Sequence, residues 1–206
     1  MYKILRFIFL GFIKIFFPYR IIGKERANVE GAFVVISNHL SNFDAFMVGS
    51  CFREKMYFLG KKEWFEKKFL KKILTTVGGI PIDRNNVDLN AMKASLKTLK
   101  NGNKLGIFPE GTRNKTGAEL LPVKSGAAVI AVKSKVNFLP VYIAGKSRFL
   151  RKNSVFVGEV VSLERFFGQK ITKDVEEELS LVTANAILDT KKQYLDYISS
   201  NKKQWK

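Results

Sequence analysis

Two short runs, Phe33-Val34-Val35-Ile36 and Leu105-Gly106-Ile107-Phe108, are apolar without alternation, and each is followed at once by a polar loop rich in chemically active residues. A strand with one wet face alternates, so an unbroken run requires a strand covered on both sides, as in a parallel sheet between two layers of helices. Further strands are expected at 20–23, 57–59, 79–82, 138–144 and 154–161. Helices are expected at the N-terminus up to Pro18, then at 44–52, 62–75, 87–100, 125–135 and 172–199. Strands and helices keep alternating. The pattern therefore predicts an α/β fold, a central and mostly parallel sheet flanked by helices, with an N-terminal amphipathic helix over 1–18 and one α/β domain over 19–206. A chain of 206 residues with 46% hydrophobic content can fill one such core.

Charge narrows the partners. Lys and Arg number 36 against 18 Asp and Glu, and the whole excess of +18 resides in three segments, 1–26, 53–72 and 97–152. Anionic partners are expected: a phosphorylated substrate, an anionic membrane surface or nucleic acid. In the first segment Lys3, Arg6, Lys14 and Arg20 interrupt a stretch dominated by Phe, Ile and Leu, and at helical spacing these four share one edge. That is the pattern of a helix lying in a membrane interface. Its longest uncharged run, from Phe7 to Ile13, is far short of a span. Lys14 and the lack of a small-residue cleavage site argue against a secretory leader. Lys67, Lys68, Lys71 and Lys72 line the polar side of the helix expected at 62–75, opposite Trp64, Phe65, Phe69, Ile73 and Leu74. Basic grooves with stacking aromatics also bind nucleic acid, but no RNA-binding fingerprint occurs and the apolar N-terminal face suits lipid better, so no nucleic-acid partner is expected. The one cysteine, Cys51, and one histidine, His39, exclude a disulfide scaffold and the usual four-ligand zinc site.

His39 directly follows the first buried run, where α/β sheets collect reactive groups. Asp44, five residues on, can fold back onto the imidazole Nδ1–H if a helix starts near Phe43, leaving Nε2 as a general base for a hydroxyl. No G-x-S-x-G turn is present and Cys51 lies in a helical pattern, so the nucleophile is expected to be a hydroxyl of the substrate. After the second run, the backbone at Gly111 and Thr112 with the Arg113 fork offers an anion receptor, and Lys124 with Ser125 and Gly126 offers another. Arg84, at the end of Gly79-Ile80-Pro81-Ile82-Asp83-Arg84, adds a fixed cation.

Asn38-His39-Leu40-Ser41-Asn42-Phe43-Asp44, Phe58-Leu59-Gly60-Lys61-Lys62-Glu63, Gly79-Ile80-Pro81-Ile82-Asp83-Arg84, Phe108-Pro109-Glu110-Gly111-Thr112-Arg113 and Leu139-Pro140-Val141 occur in that order. In this the chain resembles the glycerolipid acyltransferase family, and within it the bacterial 1-acyl-sn-glycerol-3-phosphate acyltransferases, over residues 33–145. The resemblance implies His39 as general base and Asp44 as its orienter, with Arg84, Glu110, Gly111 and Arg113 around the acceptor's glycerol phosphate. It also implies Lys61 near that phosphate and Pro140 in shaping the acyl or acceptor site. Gly60 stands where the family often has Ala, and Trp64 where Leu is common.

The expected reaction moves a fatty acyl group from an acyl thioester, of coenzyme A or acyl-carrier protein, to the 2-hydroxyl of lysophosphatidic acid. No metal or bound cofactor is expected, and the enzyme is expected to be peripheral on the cytoplasmic face of the cell membrane. Another lysophospholipid, glycerol 3-phosphate or a lipid-linked amino acid is an alternative acceptor. A non-catalytic membrane-surface protein is the alternative of a different class.

Overall fold

The unalternating runs form the middle of the sheet. In the computed structural model, which describes residues 2–84, 86 and 88–201, they are strands β2 (Val34–Ser37) and β5 (Lys104–Ile107), hydrogen-bonded side by side in parallel. The other strands are β1 (Tyr19–Ile22), β3 (Met56–Lys61), β4 (Gly79–Ile82), β6 (Phe138–Ile143) and β7 (Asn153–Val157), in the order β1-β7-β6-β2-β5-β3-β4. Pairing is parallel throughout except between β6 and β7. The carboxyl ends of β2, β3, β4, β5 and β6 thus share one edge.

Among the described residues six α-helices cover the sheet: α1 (Tyr2–Phe16), α2 (Asp44–Ser50), α3 (Lys68–Thr76), α4 (Leu89–Lys100), α5 (Gly126–Lys133) and α6 (Lys173–Ser200). Val34 and Ile36 of β2 point into a core shared with Leu105, Ile107 and Phe138 and roofed by Leu99, the Ala127–Val132 stretch of α5, and Leu179 and Ile187 of α6. Val35 points the other way, into a core with Leu139, Val141 and Val157 that is covered by Met47, Val48, Cys51 and Phe52 and by Ile13 of α1. All strand residues of β2 are buried, which is why the run shows no alternation.

α1 ends before Pro18, as expected, and Arg20 lies on β1 rather than on the helix edge, because the chain is already paired with β7 from Tyr19. One side of α1 is docked. Ile13 is buried, Phe9 stacks on Phe46 at 5.2 Å, and the Arg6 guanidinium donates to the carbonyls of Phe52 and Glu54. The opposite side leaves Ile4, Phe7, Ile8, Phe12 and Ile15 exposed. Among the described residues no helix is long and apolar enough to cross a membrane.

The helix expected at 62–75 is not continuous. A tight 3-10 turn, Lys62–Phe65, precedes extended Lys67, and only then does α3 begin. Phe65 is the cause: its ring occupies the space that the missing side chains of Gly60 and Gly79 leave, where a Cβ would lie 3.1 and 3.0 Å from it. Drawing that ring inward forces a sharper turn than an α-helix allows, and α3 itself buries no residue. The helix expected at 87–100 runs from Leu89, with the Asp88 carboxylate accepting the N–H of Asn90 and Ala91 as its cap; Val87 lies outside the described residues. β7 stops before Gly158, where the Thr190 side chain of α6 crosses so closely that a Cβ would sit 2.7 Å from its hydroxyl.

Candidate active site

The loop leaving β2 closes on itself through one carboxylate. Asp44, the first residue of α2, is fully buried, and its Oδ2 accepts from His39 Nδ1 at 2.8 Å and from the N–H groups of Leu40 at 2.5 Å and Ser41 at 2.7 Å. Its Oδ1 accepts the Ser41 hydroxyl at 2.8 Å. Four donors around one buried carboxylate stabilise its charge and lock the loop. They also set the imidazole tautomer: Nδ1 is spent on Asp44, so Nε2 is the nitrogen available to the cavity that His39 lines. The Phe108 ring stacks on the imidazole with centroids 4.1 Å apart, and Phe58 continues the stack beyond Phe108. Asn38 clamps the base of the loop to β6, exchanging two hydrogen bonds with the backbone of Ile143.

Glu110 holds two loops together. It is buried, and its two oxygens accept the N–H of His39 at 2.7 Å and of Leu121 at 3.0 Å. Burial raises its pKa and those two N–H bonds pull it back down. Glu110 therefore ties the loop after β5 to the catalytic loop, with both oxygens engaged in protein contacts. Asn114, which sequence reasoning did not single out, completes the tie by donating its N–H to the His39 carbonyl at 2.7 Å.

The cavity beside His39, of about 190 Å³, is lined by Arg84, Gly111 and Lys124 among others. Gly111 holds φ +68°, a left-handed conformation that glycine adopts without strain, and the Lys124 side chain lies over the space its missing Cβ would border. Arg84 Nη1 donates to the Gly111 carbonyl at 3.1 Å. Burial lowers the Arg84 pKa first; Glu63 opposes this, and the like charge of Arg113 adds to it. Arg84 and Lys124 thus bring two cationic side chains to the wall of the cavity that His39 lines.

Other expected site residues fall elsewhere. Thr112 is exposed and Arg113 half-buried, and neither borders this cavity. Lys61 is half-exposed at the end of β3 and pairs with Glu63 at 3.0 Å. Pro140 is not at the site: it sits within β6 opposite Ile36, buried in the sheet, its carbonyl accepting from Gly158. A second cavity, of about 150 Å³ and almost wholly apolar, lies between α1, α2 and β3, with Phe9, Phe46, Phe58, Trp64 and Leu74 in its wall. Leu59 borders both cavities.

Cys51 is buried, and burial pushes its thiol up to about 12. At pH 8 roughly one molecule in 10⁴ would carry the thiolate. Iodoacetamide should therefore leave Cys51 unmodified in the native protein while alkylating it in urea, and no acyl adduct should form on it during turnover; rapid native labelling would show the thiol is activated.

The family model described as Acyltransferase matches residues 19–144. The 1-acyl-sn-glycerol-3-phosphate acyltransferase of Bacillus subtilis is 31% identical over 129 residues, 62% of this chain and 63% of that protein. That of Helicobacter pylori is 35% identical over 115 residues, 55% and 48% of the two chains. The chain thus spans from about half to under two thirds of the length of these relatives. The solved 1-acyl-sn-glycerophosphate acyltransferase of Thermotoga maritima shares the fold, with a TM-score of 0.69 at 24% identity over 92% of this chain and 79% of that one. The matched span contains His39, Asp44, Arg84, Glu110, Gly111 and Lys124 and more than half of the residues, so the chain belongs to the Acyltransferase family.

Proposed function

We propose that the protein transfers a fatty acyl group from an acyl thioester to the 2-hydroxyl of 1-acyl-sn-glycerol 3-phosphate, forming phosphatidic acid. The observation that carries this is the His39–Asp44 pair at the edge of a cavity that also presents Arg84 and Lys124. The relatives' names support the choice of acceptor. His39 Nε2 takes the proton of the 2-hydroxyl as its oxygen attacks the thioester carbonyl. Asp44 stabilises the imidazolium that results. Collapse of the tetrahedral intermediate breaks the carbon–sulfur bond, and the leaving thiolate recovers the proton from His39. The acceptor's phosphate lies between Arg84 and Lys124, whose charges it neutralises. The apolar cavity beyond Leu59 suits an acyl chain. The chemistry is complete with acid–base groups, so the proposal includes neither metal nor bound cofactor. The donor is coenzyme A thioester or acyl-carrier protein, whose acidic surface complements the basic 53–72 segment.

Attachment to the membrane surface is part of the reading. The exposed side of α1 and the lysines of α3 with Lys67 are suited to an anionic bilayer, and a peripheral position brings the acceptor to the site without extracting it into water. The test is incubation with lysophosphatidic acid and each thioester in turn, with products followed by mass spectrometry. Phosphatidic acid is the expected product; its absence with both donors, or transfer only to another acceptor, would overturn the reading. Arg84→Ala should raise the KM for lysophosphatidic acid by about 10-fold or more, as loss of a charged hydrogen bond does, and leave the donor KM nearly unchanged. A change confined to the donor KM would remove the phosphate from this cavity.

A further inference from the structure

The loop joining β6 to β7 has a composition that its place in the fold does not require. Residues 145–152 read Gly-Lys-Ser-Arg-Phe-Leu-Arg-Lys, with two large apolar residues at the centre and four cations around them. Phe149 and Leu150 are each 61% exposed. Arg148 and Arg151 face each other across an antiparallel bridge, and the Arg151 N–H bonds the Arg148 carbonyl, so the apolar pair forms the tip of a tight turn. Leu150 holds φ +54°, a conformation unfavourable for a branched side chain. That strain is held in place by its N–H, which donates to the Phe16 carbonyl at the end of α1 at 2.7 Å. The result is a leucine held outward into solvent at conformational cost. Among the described residues none of Lys146, Arg148, Arg151 and Lys152 is in an ion pair.

The tip is also continuous with the exposed side of α1. Phe149 stacks on Phe16 at 5.7 Å, and Phe16 packs on Phe12 at 4.7 Å, so one aromatic row runs from the helix onto the turn. At its base the loop is fastened to the catalytic loop: Ser147 Oγ lies 3.2 Å from Ser41 Oγ, and because the Ser41 hydroxyl donates its one proton to Asp44, Ser147 is the donor in this pair. Apolar tip, flanking cations and anchorage beside the site therefore occur together on the sheet edge that carries His39.

We propose that residues 145–152 form a membrane-inserting hairpin for an anionic lipid bilayer, Phe149 and Leu150 entering the acyl region while Lys146, Arg148, Arg151 and Lys152 rest on the headgroup phosphates. The charge pattern selects this partner: a neutral protein groove has no use for four cations ringing two exposed apolar side chains, whereas an anionic interface uses both. Because the hairpin is tied to Ser41, its seating turns the His39 edge of the sheet toward the bilayer. The inference rests on the lipid acceptor of the reading above, and it predicts a contact separate from α1.

The test uses the full chain carrying Phe149→Cys labelled with an environment-sensitive fluorophore; the native Cys51 is buried and stays unlabelled. On vesicles of phosphatidylglycerol and phosphatidylethanolamine the emission should shift to the blue and be quenched by lipids brominated on their acyl chains. Unchanged emission from protein that has sedimented with those vesicles would overturn the proposal, as would a shift produced by acyl-carrier protein and not by vesicles. The double variant Phe149→Ser, Leu150→Ser should bind the vesicles at least 10-fold more weakly and keep wild-type turnover of a short-chain, water-soluble lysophosphatidic acid. Equal vesicle binding, or loss of turnover on the soluble acceptor, would assign the tip to another role. If the label inserts while the unaltered protein transfers no acyl group, the hairpin stands and the reaction falls; if acyl transfer proceeds and the label stays in water, the reverse holds.

Discussion

His39→Ala is expected to lower kcat for acyl transfer to lysophosphatidic acid by about 10²- to 10⁴-fold, the usual cost of removing a general base, with little change in either KM. The side chain is nearly buried, but its contacts are with Phe108 and Asp44 at the end of a strand, so the sheet core that sets stability is untouched. Asp44→Asn is the sharper variant. An amide at this position still accepts from the Leu40 and Ser41 N–H groups through its oxygen, and its NH₂ can donate to Ser41 Oγ, so the loop keeps its shape. What disappears is the negative charge facing Nδ1, and with it the stabilisation of the imidazolium. Both variants should show wild-type circular dichroism and a melting temperature within a few degrees of the parent. Near-wild-type turnover in either would reduce the pair to a structural clasp.

The sheet was legible because its middle strands are covered on both faces, which writes an unbroken apolar run into the chain; Val34, Val35 and Ile36 say so without help from distant residues. The His39–Asp44 pair was legible for a related reason: both partners lie in one short loop, so their spacing alone states the geometry. Where expectation and structure part, the deciding partner is remote in sequence. The turn at 62–65 depends on Gly79, on the neighbouring strand, as much as on Gly60. Glu110 was placed near the acceptor by the family resemblance, and nothing in its own segment pointed to a contact with His39. Its carboxylate accepts the N–H of His39, far back in the chain, a pairing that no local pattern encodes.

Pro140 was placed at the site by motif membership, yet the register of β6 on β2 sets it opposite Ile36 inside the sheet, and Asn38 makes its bonds three residues further on, at Ile143. The 145–152 turn counted only as part of a basic segment, because a count of cations does not reveal that two of them bracket a strained apolar tip. The face of α1 is a mixed case. Its composition predicted a single apolar side, whereas the structure divides that side into a docked row around Ile13 and an exposed row.

That division sets the variant for the largest effect expected on membrane binding. Deleting α1 would take Ile13 out of the core it shares with Met47, Val48 and Phe52 and remove one wall of the apolar cavity, so loss of binding could follow from damage to the fold. Phe7, Ile8 and Phe12 are exposed, and replacing all three by Gln preserves helix propensity while leaving the docked row intact. Full burial of such side chains gains about 1.5 to 3 kcal/mol each. Partial insertion of a helix lying in the interface realises a fraction of that, about 1 kcal/mol apiece, so the triple variant loses roughly 3 kcal/mol, or about 10²-fold in vesicle affinity. Turnover of long-chain lysophosphatidic acid presented in vesicles should fall with it. Turnover of a short, soluble acceptor should not, because His39, Arg84 and Lys124 are unaffected. Co-sedimentation with anionic vesicles at increasing salt separates the two contributions to binding: screening weakens the lysine contacts in both proteins, while the gap between them, being apolar in origin, persists. Vesicle affinities that coincide at every salt concentration would show that this side of α1 faces something other than lipid.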